Sequence, residues 1–272
     1  MKVALIQFTA GDDPQTNLAV VRTMIRDAAQ AGARFILTPE VSNIISTSRR
    51  HQNKVLHAEQ DDPFLARLRE EARALGVWLL IGSLAIKAGD EDGRFANRSF
   101  LISPDGSVVA RYDKIHMFDV QIDETETYRE SAAYRPGTKA VVADTEFAKI
   151  GMTICYDMRF PHLYRRLAKA GATIITVPAA FSPVTGKAHW ESLLRARAIE
   201  NGVFILAPAQ CGQNGPARAT HGHSLVVSPW GEVLADGGEV PGITMVDLDL
   251  ADVEQSRRRV PSLNHDREIE GP

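Results

Sequence analysis

The two halves of the chain repeat one order of elements, and this repetition constrains the fold more than any other feature of the sequence. Residues 3–8 are a short apolar run that predicts a strand, and residues 15–30 have the apolar spacing of an amphipathic helix. An Ala-Gly-Ala turn at 31–33 then leads to a second predicted strand at 35–38, which Pro39 closes.

The same order recurs in the second half. A predicted strand at 150–155 is followed by a helix at 161–169, a second Ala-Gly-Ala turn at 170–172, and a strand at 173–177 closed by Pro178. Agreement of this many elements in order makes a chance match the weaker explanation.

The parallel continues further along each half. Predicted strands at 77–81 and 203–206 each follow a helix, and runs at 99–102 and 224–227 each enter a Ser-Pro-x-Gly hairpin turn. Strands that are apolar on both faces indicate sheets covered by helices. We therefore predict an α/β fold, a four-layer αββα sandwich of two internally related halves, in which residues 1–272 form a single domain.

Composition excludes several classes of protein. The 272 residues carry a formal net charge of -3, without the basic excess typical of nucleic-acid binding. Only two cysteines, Cys155 and Cys211, are present, which does not fit a disulfide-stapled secreted scaffold. No leader-like pattern opens the sequence and no run reaches about 18 apolar residues. We expect a cytoplasmic protein with no membrane or nucleic-acid partner.

Three polar residues follow predicted strands, where the loops of α/β sheets gather reactive groups. Glu40 follows the strand at 35–38, Lys114 follows a hairpin strand, and Cys155 closes the strand at 150–154. Taken singly, each has an ordinary alternative: a surface carboxylate, a solvated lysine and a buried, inert cysteine. Their combination favours a catalytic interpretation.

The three residues have the chemistry that amide hydrolysis requires. Cys155 precedes a predicted helix that begins at Pro161, and a helix amino end together with an ammonium favours thiolate over thiol. A glutamate can transfer both protons of the reaction, and Lys114 with a backbone N–H near Tyr156 can stabilise the oxyanion. We therefore expect Cys155 as nucleophile, Glu40 as general base and Lys114 as oxyanion stabiliser.

Three segments carry a family resemblance: Thr-Pro-Glu at 38–40, Tyr-Asp-Lys-Ile-His at 112–116 and Ile-Cys-Tyr-Asp-Met-Arg-Phe-Pro at 154–161. In this order they resemble the catalytic motifs of the nitrilase superfamily, over almost the whole chain. The resemblance implies an αββα sandwich, a Glu–Lys–Cys triad, no metal or other cofactor, and dimers. It also implies a second active-site glutamate, which Glu130 matches. One departure is His162, where the family often has glutamate.

Further segments resemble the Nit-type amidases within that superfamily. They are residues 185–200, Gly-His-Ser at 222–224 and Ser-Pro-Trp-Gly at 228–231. Residues 209–212 and Arg218-Ala219 are similar to the type that hydrolyses deaminated glutathione and releases cysteinylglycine. An omega-amidase acting on 2-oxoglutaramate, and another amidase, carbamoylase or nitrilase of the superfamily, stay open as alternatives.

Both oxo-acid substrates carry a carboxylate that needs a cation. Arg159 is a candidate for a bidentate contact, although an ion pair with Asp157 is an equal alternative. Tyr156 and Thr185 are expected to line the same small-molecule pocket.

Rival mechanisms have weaker support. His189 beside Trp190 is a candidate base of a Cys–His pair, but a packed structural histidine is the favoured interpretation. Cys211, His221 and His223 match no zinc spacing, and no glycine-rich nucleotide loop is present. A catalytically silent binding protein is disfavoured because all three candidate catalytic residues are intact.

Overall fold

Two six-stranded sheets form the centre of the molecule. The structure is a computed structural model, and it describes residues 1–89, 91–122, 127–216 and 218–271. The strands are β1 (Lys2–Gln7), β2 (Phe35–Leu37), β3 (Trp78–Lys87), β4 (Phe95–Ile102), β5 (Val108–Asp113), β6 (Asp119–Gln121), β7 (Thr127–Arg129), β8 (Val141–Asp144), β9 (Lys149–Met152), β10 (Ile174–Thr176), β11 (Phe204–Ala207), β12 (Cys211–Gly215), β13 (Arg218–His221), β14 (Leu225–Val227), β15 (Val233–Asp236) and β16 (Gly242–Asp247). The helices are α1 (Pro14–Gln30), α2 (Arg49–Val55), α3 (Pro63–Leu75), α4 (Pro161–Lys169), α5 (Pro183–Asn201) and α6 (Ala251–Arg259).

The predicted duplication is confirmed by the topology of the two sheets. The first has the order β16-β1-β2-β3-β4-β5 and the second β8-β9-β10-β11-β14-β15. In each sheet three consecutive strands are parallel, β1-β2-β3 and β9-β10-β11, with antiparallel strands on both sides. The two sheets therefore share the same arrangement of strands, although β16 of the first sheet comes from the C-terminal part of the chain.

Alternate residues of the strands supply two separate cores. In β1, Val3 and Leu5 pack into the core shared with the second sheet, whereas Ala4 and Ile6 pack against the layer of α1 and α3. This alternation follows from the period of two along a strand. Helices α4 and α5 cover the second sheet. The predicted α/β sandwich is confirmed, with the order helix layer, sheet, sheet, helix layer.

Helix ends account for the matching punctuation of the two halves. Helices α3 and α5 both begin with proline and end at a glycine in the left-handed conformation, Gly76 with φ 62° and Gly202 with φ 56°. Glycine adopts this conformation without the steric cost of a Cβ atom. None of the described helices has the length and apolarity needed to cross a bilayer.

Candidate active site

Glu40 lies in a turn after β2 that is packed tightly against β3. A Cβ atom on Gly82 would lie 1.9 Å from the carbonyl oxygen of Thr38, so this approach requires glycine. The Val41 N–H donates to Ser83 Oγ at 2.7 Å and fixes the turn. Glu40 is thus held at the carboxyl end of the sheet with only 4% of its surface exposed.

Cys155 begins a short 3₁₀ turn, Cys155–Arg159, between β9 and α4. Strand β9 ends at Met152, so the prediction that the strand runs to Cys155 is wrong by three residues. Cys155 has a φ of 48° and its N–H donates to the Pro178 carbonyl at 2.9 Å. A left-handed conformation at a residue other than glycine costs about 1–3 kcal/mol and is frequent at functional sites.

Asp157 explains why the chain leaves the strand at this point. Its carboxylate is fully buried and accepts from the Ile154 N–H at 2.9 Å and from Tyr112 Oη at 2.6 Å. It also accepts from the His116 N–H at 3.1 Å and lies 2.7 Å from His116 Nδ1. Because Tyr112 and His116 flank Lys114, Asp157 ties the turn that carries Cys155 to the segment that carries Lys114.

Lys114 is surrounded by carboxylates. Its Nζ donates to Glu40 Oε1 at 2.9 Å and to both Glu130 oxygens at 2.9 Å. Asn97 Nδ2 bridges the same two carboxylates, at 2.9 Å from Glu40 Oε1 and 3.3 Å from Glu130 Oε1. Glu40 Oε2 accepts from the Ala180 N–H at 2.8 Å. Both carboxylate oxygens of Glu40 therefore have a fixed donor.

The pKa shifts follow from burial and from these neighbours. Burial acts to raise the pKa of Glu40, but the charge and hydrogen bond of Lys114 hold it below the ordinary value. Burial acts to lower the pKa of Lys114, but Glu130 and Glu40 keep it well above the ordinary range. For Cys155, burial and the adjacent Glu40 charge raise the thiol pKa well above 9.0, and Lys114 offsets only part of this shift.

Burial and the Glu40 charge thus act on the pKa of Cys155 against the thiolate that the sequence favours. The helix expected to stabilise the anion begins at Pro161, six residues away, whereas the Glu40 carboxylate is in hydrogen-bonding contact with the thiol. The raised pKa of Cys155 and the lowered pKa of Glu40 favour a thiol beside a carboxylate. Glu40 is thus placed to remove the thiol proton at the moment of attack.

The alkylation rate of Cys155 by iodoacetamide should keep rising with pH beyond the ordinary thiol pKa of 9.0. Glu40→Gln removes the adjacent negative charge and leaves Lys114, so it should move the profile to lower pH. Peptide mapping by mass spectrometry separates Cys155 from Cys211. A wild-type rate that reaches its plateau below about pH 7 would contradict the assignment of a neutral resting thiol.

A cavity of about 310 Å³ opens above these groups. Its volume is within the range of small-molecule sites. All but one of the predicted site residues line it, namely Glu40, Lys114, Glu130, Cys155, Tyr156 and Thr185. The buried Thr185 hydroxyl has no hydrogen-bond partner within the described residues.

The exception is Arg159, which lies beside the cavity. Its guanidinium carbon is 5.8 Å from the centre of the Tyr156 ring and 5.5 Å from that of Phe181, and Nη2 lies 3.3 Å from His189 Nδ1. Asp157 is taken up by other donors, so the alternative of an Arg159–Asp157 ion pair is wrong. His189 is exposed, which also contradicts its expected packing as a buried structural histidine.

The histidines considered for metal binding have other partners. The rings of His221 and His223 stack with centroids 4.6 Å apart, and His223 Nδ1 lies 3.0 Å from Asp236. Cys211 Sγ lies 3.7 Å from the Thr9 hydroxyl. Within the described ranges, no group of three or more histidine, cysteine, aspartate or glutamate residues is arranged to hold a metal ion.

Several residues at the site were not singled out from the sequence. Asn97 and the Ala180 N–H have no local signal, because they meet Glu40 only through the packing of β4 and of the loop after β10. Arg218, which the sequence offers only as part of the resemblance to one type of Nit amidase, lines the cavity. The sequence offers Asp157 as part of the third motif and as a possible partner of Arg159, but gives no signal for its contacts with Tyr112 and His116.

Comparison with known proteins gives consistent results. The family model described as Carbon-nitrogen hydrolase matches residues 2–258. A deaminated glutathione amidase of Yersinia enterocolitica is 41% identical over 97% of this chain and 92% of the relative. The C. elegans NitFhit protein is 35% identical with a TM-score of 0.91, covering 98% of this chain and 65% of that longer chain.

A solved amidase from Nesterenkonia sp. AN1 bears on the cysteine. It is 31% identical with a TM-score of 0.79, covering 97% of this chain and 96% of its own. That structure is of a mutant in which one glutamate is replaced by leucine. It is described as showing covalent addition of the acetamide moiety of fluoroacetamide at the active site cysteine.

Proposed function

This chain belongs to the carbon-nitrogen hydrolase family, and we propose that it hydrolyses the amide bond of deaminated glutathione through a thioester on Cys155. The observation that carries the chemistry is the grouping of the Cys155 thiol, the Glu40 carboxylate and the Lys114 ammonium at one buried cavity. The substrate is supported by relatives of that name at about 40% identity over nearly the whole chain.

Acylation begins with proton transfer from the Cys155 thiol to Glu40 as sulfur attacks the amide carbonyl carbon. The carbonyl oxygen becomes an oxyanion, which Lys114 Nζ and the Tyr156 N–H stabilise. Collapse of this intermediate breaks the C–N bond, and the leaving nitrogen takes the proton from Glu40. The products of this half-reaction are an acyl thioester and a free amine.

Deacylation uses the same groups in reverse order. Glu40 removes a proton from water, the resulting hydroxide attacks the thioester carbonyl, and the sulfur leaves and is reprotonated. Glu130 acts throughout as the second carboxylate on Lys114, which keeps the ammonium charged and oriented. Because every proton transfer passes through Glu40, no metal is required by this scheme.

We propose that Arg159 and Thr185 bind the oxo-acid carboxylate at one side of the cavity, next to Tyr156. We also propose a single domain over residues 1–272, acting on a small molecule in the cytoplasm as a homodimer or higher homo-oligomer. Exposed apolar side chains on and before the edge strand β15, Trp230 and Leu234, are consistent with a covered subunit face.

Mass spectrometry of the products tests the substrate directly. Deaminated glutathione and 2-oxoglutaramate are offered in parallel, with Cys155→Ala as the blank. We expect kcat/KM to favour deaminated glutathione by at least about tenfold, since its larger leaving group offers further polar contacts. A preference for 2-oxoglutaramate would instead identify an omega-amidase with the same triad.

A further inference from the structure

Arg218 lines the cavity that also holds Glu40 and Cys155. It begins β13, its Nη2 donates to the Ala180 carbonyl at 2.9 Å, and its guanidinium carbon lies 5.1 Å from the centre of the Tyr128 ring. Its Nε is buried and has no hydrogen-bond partner within the part of the chain that the structure describes. Because guanidinium has donors only, and a buried donor without a partner is costly, this side chain is suited to an anionic ligand.

The charge of the cavity wall points to an anion as well. The lining contains four cationic residues and two carboxylates, although the whole chain has a net charge of -3. The cations are Arg49, Lys114, Arg129 and Arg218. Lys114 is engaged by both carboxylates, and Arg49 donates to the Ala133 and Gly93 carbonyls. Arg218 differs from these two because it keeps a buried donor without an acceptor among the described residues.

The position of Arg218 relative to Glu40 indicates which part of a substrate it meets. Ala180 donates its N–H to Glu40 Oε2 and accepts from Arg218 through its carbonyl, whereas Lys114 contacts Glu40 Oε1. Lys114 marks the oxyanion side of the scissile amide. Arg218 lies beyond the opposite oxygen of the base that returns a proton to the leaving nitrogen.

We propose that Arg218 binds a carboxylate on the leaving group and so selects amides of amino acids or short peptides over amides that release ammonia. This inference rests on the proposed amidase function and deepens it. Deaminated glutathione fits because its leaving group, cysteinylglycine, ends in a carboxylate, and 2-oxoglutaramate does not because it releases ammonia. The guanidinium of Arg218 would supply a charge-assisted contact to that carboxylate.

The test compares deaminated glutathione with its analogue in which the glycine carboxylate is a carboxamide. Wild type should prefer the carboxylate by about 10- to 100-fold in kcat/KM. Arg218→Gln should remove most of that preference. The loss should fall on the carboxylate substrate and should appear mainly as a higher KM. Arg218→Lys should restore part of it by keeping the charge. The matched control Arg49→Gln should keep the wild-type ratio, because the donors of Arg49 already have backbone acceptors.

Ratios between the two substrates cancel any general damage to the site, and thermal melting verifies that each variant folds. An equal loss on both substrates in Arg218→Gln would overturn the inference, since Arg218 would then act on Ala180 or on the acyl end alone. Wild-type activity of Arg218→Gln on both substrates would overturn it too. Failure of the proposed function would give a different result from failure of this inference. The wild-type protein itself would then prefer 2-oxoglutaramate, or would cleave neither deaminated glutathione nor its carboxamide analogue.

Discussion

Cys155→Ala should lower kcat/KM for deaminated glutathione by at least about 10⁴-fold, because Cys155 is the thiol that lines the cavity in hydrogen-bonding contact with the Glu40 carboxylate. The fold should persist, since the substitution is small and the Cys155 N–H bond to the Pro178 carbonyl is a main-chain contact. Product formation by mass spectrometry and thermal melting, measured on the same sample, report the two effects separately.

The second cysteine provides the matched control. Cys211 is also buried, but it contacts Thr9 and does not line the cavity. Cys211→Ala should therefore leave kcat/KM close to wild type. Residual activity of Cys155→Ala above about one hundredth of wild type would rule out covalent catalysis by this thiol.

Lys114→Met should both destabilise the protein and suppress catalysis. Removing the ammonium leaves Glu40 and Glu130 close together with only Asn97 between them, and breaking a buried ion pair in this way costs about 3–5 kcal/mol. Loss of an oxyanion donor should reduce kcat by about 10²–10³-fold. Denaturant unfolding and steady-state kinetics measure the two losses.

The pH dependence of this variant has a definite sign. In wild type the pKa of Glu40 is depressed, so its contribution to stability is present above the ordinary carboxyl pKa and is lost as pH falls through the folded value. Without Lys114, burial should raise the pKa of Glu40, and the stability deficit should shrink as pH is lowered from neutral. The exposed Lys149, 3.5 Å from Asp144, is the control, and Lys149→Met should change stability little. A deficit that grows on acidification would contradict this account of Lys114.

The sequence by itself determined the architecture and the candidate catalytic residues. The duplication is readable because it is local: the Ala-Gly-Ala turns at 31–33 and 170–172 and the helix-ending Gly76 and Gly202 depend on neighbouring residues alone. Apolar runs such as β1 indicate burial on both faces. Glu40, Lys114 and Cys155 follow strands, so their meeting at one end of the sandwich is a consequence of topology.

The tertiary structure decided the pKa shifts at the site and which side chains line its cavity. The raised pKa of the Cys155 thiol depends on burial that no local pattern specifies and on how close Glu40 lies, 115 positions away in the chain. Asp157 binds Tyr112 and His116, not Arg159, because the end of β5 brings those donors to it. Arg218 reaches the cavity only because its strand packs beside Ala180. Charges and hydrogen bonds act over a few ångströms in space, so their outcome depends on contacts between residues distant in sequence.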